Sequence, residues 1–259
     1  MTAADAAFLA ALPGWAFAFV LVLSRTGAVV MLMPGLGEAE PPATVRAGLA
    51  LAITLLLLPG VVPLVPAVPQ AGLSGAGMVA AELLVGVMLG WLSRLPALAL
   101  GMAGAVTSYM LGLSSVMQTD PALGGQSAAL GRLFGLVAPV LVLSTGLYAL
   151  PLQALSGSYG LFPPGTLLPA GPLADSVTAA VGASFGLAMR LAAPFLLAGL
   201  LWQAALGLLA RLAPQLQIYS AVTPGQILGG LALLGLLGSR ILEAWLDGVS
   251  TAWQLLPGL

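Results

Sequence analysis

Long runs of apolar residues, rather than alternating or striped patterns, dominate this sequence of 259 residues. Six runs reach the roughly 20 residues that a helix needs to cross the hydrocarbon core of a bilayer. They cover residues 8–33, 47–68, 78–113, 128–155, 177–210 and 225–256. If each run forms a helix, apolar residues lie on all sides of it, which disfavours a helix lying flat on a membrane surface. The runs also lack the period-two alternation of apolar and polar residues that barrel strands show. The pattern therefore predicts an all-α, multi-pass helical membrane protein.

Breaks rich in proline and glycine separate the runs, and they stop helices. Examples are Pro34-Gly35, the proline-rich stretch 59–69, Asp120-Pro121 and Pro163-Pro164-Gly165. Several runs exceed the length of a straight span, so their helices must tilt, bend or continue beyond the bilayer. We therefore expect long bent helices and helical hairpins.

The composition supports a membrane environment and excludes other classes of protein. Hydrophobic residues make up 60% of the chain and charged residues 6%, against roughly 45–50% and about 25% in ordinary globular chains. The net charge is −1, which excludes a basic nucleic-acid binder. The chain has neither Cys nor His, so thiolate metal sites and the commonest general base are absent.

Charged residues inside the apolar runs are costly, at about 2.5–3.5 kcal/mol each at the bilayer centre, and they usually face protein or water. Arg25, Glu82, Arg94, Arg190, Arg240 and Glu243 are among the residues that lie inside or at the edge of a run. Arg240 and Glu243 are three residues apart and are predicted to pair on one helix face. Glu82 and Arg94 are about 18 Å apart along a helix, so they cannot pair with each other within it. Their partners must come from another helix or another chain.

Glycines recur at the spacing that lets membrane helices approach closely. The pairs are Gly86 with Gly90, Gly131 with Gly135, Gly182 with Gly186, and Gly225 with Gly229. Together they predict dense helix–helix packing.

A polar segment, residues 112–127, separates two strongly apolar runs. Asp120-Pro121 and Gly124-Gly125 predict irregular backbone there. Such backbone is either an ordinary surface loop or, at membrane depth, a segment buried in protein or lining an aqueous cavity.

Motifs for catalysis and nucleotide binding are absent from the sequence. We therefore predict a protein that is not an enzyme and that needs no cofactor or metal.

Several sequence blocks, in matching order over roughly residues 20–240, resemble the FliR family of the flagellar export gate, whose injectisome counterparts are called SctT. The blocks are Arg25-Thr-Gly-Ala-Val-Val-Met-Leu-Met-Pro34-Gly-Leu-Gly37 with Pro42-Ala-Thr-Val-Arg46, then Glu82-Leu-Leu-Val-Gly86-Val-Met-Leu-Gly90, then Tyr109-Met-Leu-Gly112-Leu-Ser with Asp120-Pro121 and Gly124-Gly125-Gln, and finally Arg211-Leu-Ala-Pro214-Gln-Leu-Gln217-Ile-Tyr219 with Pro224. Two departures are Thr145-Gly146-Leu147-Tyr148, where many relatives carry an Asn-Gly-His-like group, and Tyr219, where Phe is common.

The resemblance implies a subunit that assembles with FliP and FliQ, and with FlhB as a further expected partner, into a helical hetero-oligomeric gate for unfolded flagellar subunits. It implies a FliP-like part over 1–175, a FliQ-like helix pair over 176–259, and a place in the bacterial inner membrane at the flagellar basal body. It also implies that the central loop plugs the closed pore, through Val116, Met117, Gln118, Thr119, Asp120, Pro121, Ala122 and Leu123. In such a gate the charged residues, with Arg46 added to those named above, would serve assembly. Service in an injectisome and, from a different class, transport of a small solute remain alternatives.

Overall fold

A computed structural model describes residues 3–69, 72–113, 117–120, 125–166, 170–212 and 218–259. This part of the chain is built from α-helices and one pair of short strands. In chain order the elements are α1 (Ala3–Leu32), α2 (Ala43–Val61), α3 (Gly72–Met110), β1 (Met117–Asp120), β2 (Gly125–Ala128), α4 (Ala129–Ser144), α5 (Ala149–Leu161), α6 (Ala170–Leu212) and α7 (Ile218–Trp253). A short 3-10 turn, Val62–Leu64, directly follows α2.

The lengths and apolarity of the helices confirm the predicted fold class. Five helical segments are long and apolar enough to cross a membrane, and a bent pair of helices passes the same test as one broken span. The five are Leu9–Leu32, Ala43–Leu64, Gly72–Met110, Leu173–Leu212 and Val222–Trp253. The chain is thus an all-α, multi-pass membrane protein.

The fourth predicted run, 128–155, is two helices rather than one. α4 ends at Ser144, α5 begins at Ala149, and the two are bent by 70° relative to each other. Gly146, in the turn between them, has a φ of +76°, a left-handed conformation that glycine adopts without a Cβ penalty. Apolar residues continue on both sides of this turn, so hydropathy alone merges the two helices.

A small antiparallel hairpin, formed by β1 and β2, connects α3 to α4. Met117 lies opposite Ala128, and Asp120 lies opposite Gly125. The expectation of irregular backbone, made for residues 112–127, is therefore wrong for residues 117–120 and 125–127. Pairing between the two strands satisfies main-chain N–H and C=O groups that an irregular loop would leave to water or side chains.

The chain forms two compact units that interleave along the sequence. Unit 1 comprises Met1–Arg94, Val142–Ala179 and Ala252–Leu259, and unit 2 comprises Leu95–Leu141 and Ala180–Thr251. This division reflects contacts within the chain. The predicted division at 175/176 concerns likeness to partner subunits and stays a prediction.

In unit 1, two glycines of α3 let α1 approach closely. A Cβ atom added to Gly86 would lie 2.8 Å from the Cβ of Ala28 and would also collide with the carbonyl oxygen of Arg25. A Cβ atom added to Gly90 would lie 2.7 Å from the Cβ of Leu32. Only glycine allows the two helix backbones to pack at this distance.

In unit 2, α3 packs against α4 in the same way. An added Cβ on Gly104 would lie 2.6 Å from the carbonyl oxygen of Leu130, and one on Gly131 would lie 3.2 Å from the Cβ of Ala105. Gly135 differs, because an added Cβ there would have no atom within 4 Å. The structure therefore gives Gly131, but not Gly135, a close neighbour in the direction of a side chain.

Two buried indoles of α7 donate hydrogen bonds to carbonyl groups of α3. In unit 1, Trp253 Nε1 donates to the Ser93 carbonyl at 2.9 Å. In unit 2, Trp245 Nε1 donates to the Pro96 carbonyl at 3.2 Å. A buried indole N–H is stabilising only when it has such a partner, so these bonds fix where α7 meets α3 within each unit.

Replacing Gly86 with leucine should destabilise the chain, because the new side chain would collide with the backbone of α1. Overpacking of this kind costs about 1–3 kcal/mol, and more where backbone must move. Gly77, in the same helix, is the matched control, since an added Cβ there has no atom within 4 Å. Thermal unfolding in detergent should show a lower midpoint for Gly86→Leu and no loss for Gly77→Leu. Equal midpoints for the two variants would contradict this account of the packing.

Candidate functional site

A buried ion pair joins α1 to α3 in unit 1. Arg25 Nε lies 2.8 Å from Glu82 Oε2, and Arg25 Nη2 lies 3.0 Å from Glu82 Oε1. Both side chains are 0% exposed. Two parallel N–H···O bonds between a guanidinium and a carboxylate form the geometry in which such a pair is strongest. Each charge is thus compensated at the place where it is cut off from solvent.

The remaining donors and acceptors of the pair bond to α5 and to the turn that follows it. Arg25 Nη1 donates to Ser158 Oγ at 3.1 Å, and Nη2 also donates to the Phe162 carbonyl at 2.9 Å. The Gly165 N–H donates to Glu82 Oε1 at 2.8 Å. A buried ion pair is stable only when its other hydrogen-bonding capacity is satisfied in this way.

An aromatic ring completes the cluster. The guanidinium carbon of Arg25 lies 4.1 Å from the centre of the Tyr159 ring, a cation–π distance. We call Arg25, Glu82, Ser158, Tyr159 and Gly165 the polar cluster. It ties α1, α3, α5 and the turn after α5 together inside unit 1.

The polar cluster changes how Arg25 and Glu82 are interpreted. The sequence left open whether Glu82 pairs with another helix or another chain, and the structure places its partner in α1 of the same chain. These two residues therefore need no second subunit to neutralise their charges.

Three members of the cluster were missed by sequence reasoning. Ser158 and Tyr159 form a short polar interruption of an apolar helix, which was the only local sign of them. Gly165 was noticed only as part of a proline–glycine break, although its main-chain N–H is what contacts the carboxylate.

Arg94 is a residue of α3 whose side chain reaches the C-terminal end of α1, and it is not part of the polar cluster. Its Nη1 donates to the Leu32 carbonyl at 3.1 Å, and its Nη2 lies 3.2 Å from Glu38 Oε2. The side chains of Arg94 and Glu38 are 24% and 21% exposed. A cation at the C-terminal end of a helix bonds the carbonyls that the helix leaves free, so Arg94 also has its partners within the chain.

The other predicted charges are more accessible. Arg240 and Glu243 pair at 3.4 Å on the face of α7, as their spacing predicts, with side chains 81% and 63% exposed. Arg190 is exposed. Arg46 is half-buried, and its Nε has no hydrogen-bond partner among the described residues. A role of these residues in assembly stays a prediction.

Of the predicted plug residues, Met117, Gln118, Thr119 and Asp120 form β1. Val116, Pro121, Ala122 and Leu123 lie outside the described residues. Within the described ranges, no group of three or more acidic side chains lies together in a way that could hold a metal ion.

Replacing Arg25 with methionine should strongly destabilise the chain, because it leaves the Glu82 carboxylate buried without its counter-charge. Breaking a buried pair from one side costs about 3–5 kcal/mol. The double variant Arg25→Met with Glu82→Gln should be more stable than Arg25→Met alone, since it removes the stranded charge. The matched control is Arg240→Met, which breaks an exposed pair and should change stability little. Yield and thermal midpoint in detergent measure the effect; similar losses for Arg25→Met and Arg240→Met would refute it.

Comparison with known proteins places the chain in a family. Residues 16–252 match the family model described as bacterial export proteins, family 1. The chain is 36% identical over 229 residues to flagellar biosynthetic protein FliR of Caulobacter vibrioides, an alignment that covers 88% of this chain and 90% of that protein.

Further relatives are less similar, and they also align over most of the chain. FliR of Escherichia coli is 28% identical over 86% of this chain and 85% of its own length. Yop proteins translocation protein T of Yersinia pestis is 25% identical over 80% of each chain. The chain therefore belongs to the FliR family of bacterial export proteins, the multi-pass membrane components of the type III secretion export apparatus.

Proposed function

We propose that this chain is the FliR-like subunit of the flagellar export gate, in the bacterial inner membrane at the flagellar basal body. It assembles with FliP-like and FliQ-like subunits, and with a FlhB-like protein, into the channel through which unfolded flagellar subunits leave the cell. The observation that carries the proposal is the 36% identity to a flagellar FliR over 88% of the chain.

The exposed apolar surface of the last two helices supports an assembled state. In the most apolar windows of Leu173–Leu212 and Val222–Trp253, only 28% and 11% of residues are buried within the chain. Large side chains that remain exposed there include Leu197, Leu201, Leu208, Leu212, Leu228 and Leu236. An apolar surface of this kind must be covered by acyl chains or by partner protein.

Glycines on the same two helices favour partner protein, rather than acyl chains alone, as the cover of this apolar surface. Added Cβ atoms on Gly182, Gly186 and Gly229 would have no atom within 4 Å. Their small-residue spacing permits close approach of another helix, and within the described chain nothing occupies that space. We infer that FliP-like and FliQ-like helices pack on α6 and α7, and that the FliQ-like part begins near residue 176.

The hairpin between α3 and α4 is the proposed plug of the closed channel. It is a polar segment between two apolar helices, and its two described strands pair in an antiparallel ladder. A closed gate needs such a segment, because an open protein-conducting channel would also pass ions.

Service in an injectisome is the second candidate, since similarity extends to a Yersinia translocation protein at 25% identity. The higher identity to a flagellar protein favours the flagellar role. Deleting the gene separates the two, because a flagellar subunit is needed for motility and filament secretion, whereas an injectisome subunit is needed for effector secretion.

Deleting the gene should abolish filament secretion and motility, and expression from a plasmid should restore both. The tagged, complementing protein should co-purify with FliP-like and FliQ-like subunits in excess over itself. Culture supernatants and subunit masses measure these outcomes. Normal filament secretion, or purification as a stable solitary monomer, would refute the proposed function.

Deleting residues 116–123 should make the resting gate leak ions and small solutes, because the proposed plug is removed. Conductance of the purified gate complex in planar bilayers measures the leak, and the yield of co-purified subunits is the control for assembly. A fully assembled complex with unchanged conductance would contradict the assignment of the plug.

A further inference from the structure

The end of α3, from which the hairpin emerges, is held by a side chain of α7. Met110 is the last residue of α3, and its carbonyl is one of those that a helix end leaves without an intrahelical donor. Gln226 Nε2 donates a hydrogen bond to it at 2.9 Å. Gly112 then turns the chain with a φ of +74°, and an added Cβ there would lie 3.5 Å from Gln226 Cδ. The Gln226 amide thus bonds to Met110 and borders the same pocket as Gly112, the residues on either side of Leu111.

Two glycines of α6 and α7 hold the same short segment by close packing. Leu111 is buried, and an added Cβ on Gly230 would collide with its side chain. An added Cβ on Gly199 would lie 2.9 Å from the sulfur of Met110. Gly230 is one helical turn beyond Gln226 in α7, so both residues face the end of α3.

The other arm of the hairpin is fixed to α3 itself. The Leu130 N–H, in the first turn of α4, donates to Ser108 Oγ at 3.1 Å. Gly104 allows this contact, because any side chain there would meet the Leu130 carbonyl. The start of α4 is therefore anchored to α3 without α7, whereas the end of α3, at Met110 and Leu111, is held by α7.

An open pocket of about 440 Å³ borders the contact, and its lining includes Tyr109, Gln203, Thr223 and Gln226. Gln203 and Gln226 are both glutamines, and both line this pocket. Among the described residues, however, Gln203 makes no hydrogen bond, whereas Gln226 bonds the end of α3. The pocket therefore supplies a matched control.

We propose that Gln226 is a positioning residue for the plug: its amide fixes the end of α3, and so the outgoing arm of the hairpin, in the closed position. The inference rests on the proposed function, in which the hairpin closes the channel. It adds that the last helix pair sets the position of the plug through one polar contact, in addition to packing against partner subunits.

The test compares Gln226→Leu with Gln203→Leu in the complete gate complex. Gln226→Leu removes the donor and keeps a side chain of similar size, so the resting conductance should rise about fivefold, the shift that loss of one net hydrogen bond produces in a two-state equilibrium. Gln203→Leu should leave conductance unchanged. Subunit yields should match the unmodified complex for both variants.

A gentler variant, Gln226→Asn, keeps the amide but withdraws it by one methylene group, and it should give a smaller rise in conductance. Unchanged conductance in both Gln226 variants would overturn the proposal, and so would loss of assembly in both, since Gln226 would then serve assembly instead. The deletion of residues 116–123 is measured alongside. If the gate complex with that deletion shows unchanged conductance, the plug assignment fails. If its conductance rises while that of the Gln226→Leu complex is unchanged, only the positioning role of Gln226 fails.

Discussion

The pairing of one guanidinium with one carboxylate inside apolar protein constrains the whole of unit 1. Neither Arg25 nor Glu82 is tolerated there without the other, so α1 and α3 must meet at one register. Gly86 lies one helical turn from Glu82 on the same face of α3 and admits the backbone of α1 at Arg25 itself. Charge compensation and close packing are therefore a single requirement: the glycine brings the helices near enough for the two charges to meet.

The same pairing changes the argument for partner subunits. The sequence leaves open whether the ionic residues pair with another helix or with another chain, and Arg25, Glu82 and Arg94 all find partners within the chain. The case for assembly rests instead on the exposed apolar faces of α6 and α7 and on glycines that no atom of the chain approaches. The buried ion pair therefore stabilises the fold of this chain. The exposed apolar surface of α6 and α7, with its glycines, is what partner subunits could cover.

The hairpin is the feature in which fold and function meet. In the function that we propose, the hairpin is a plug that must stay in place in the closed gate and move when a substrate passes, so we expect few contacts to hold it. Leu130, just after β2, bonds to Ser108, whereas Met110 and Leu111, at the end of α3, lie against Gln226 and two glycines. Both bonds act on the main chain, at the Met110 carbonyl where α3 ends and at the Leu130 N–H where α4 begins.

Hydropathy and motif order are local properties, and they sufficed to determine the membrane class, the number of apolar segments, the main breaks and the family. The pairing of Arg94 with Glu38, the 70° turn at Gly146 and the register of the hairpin were decided only by tertiary structure. So was the difference between Gly131, where an added Cβ would meet Ala105 of α3, and Gly135, where an added Cβ would meet no atom within 4 Å. The physical reason is that a contact depends on which helices meet and how each is rotated about its axis, and linear spacing leaves both undetermined.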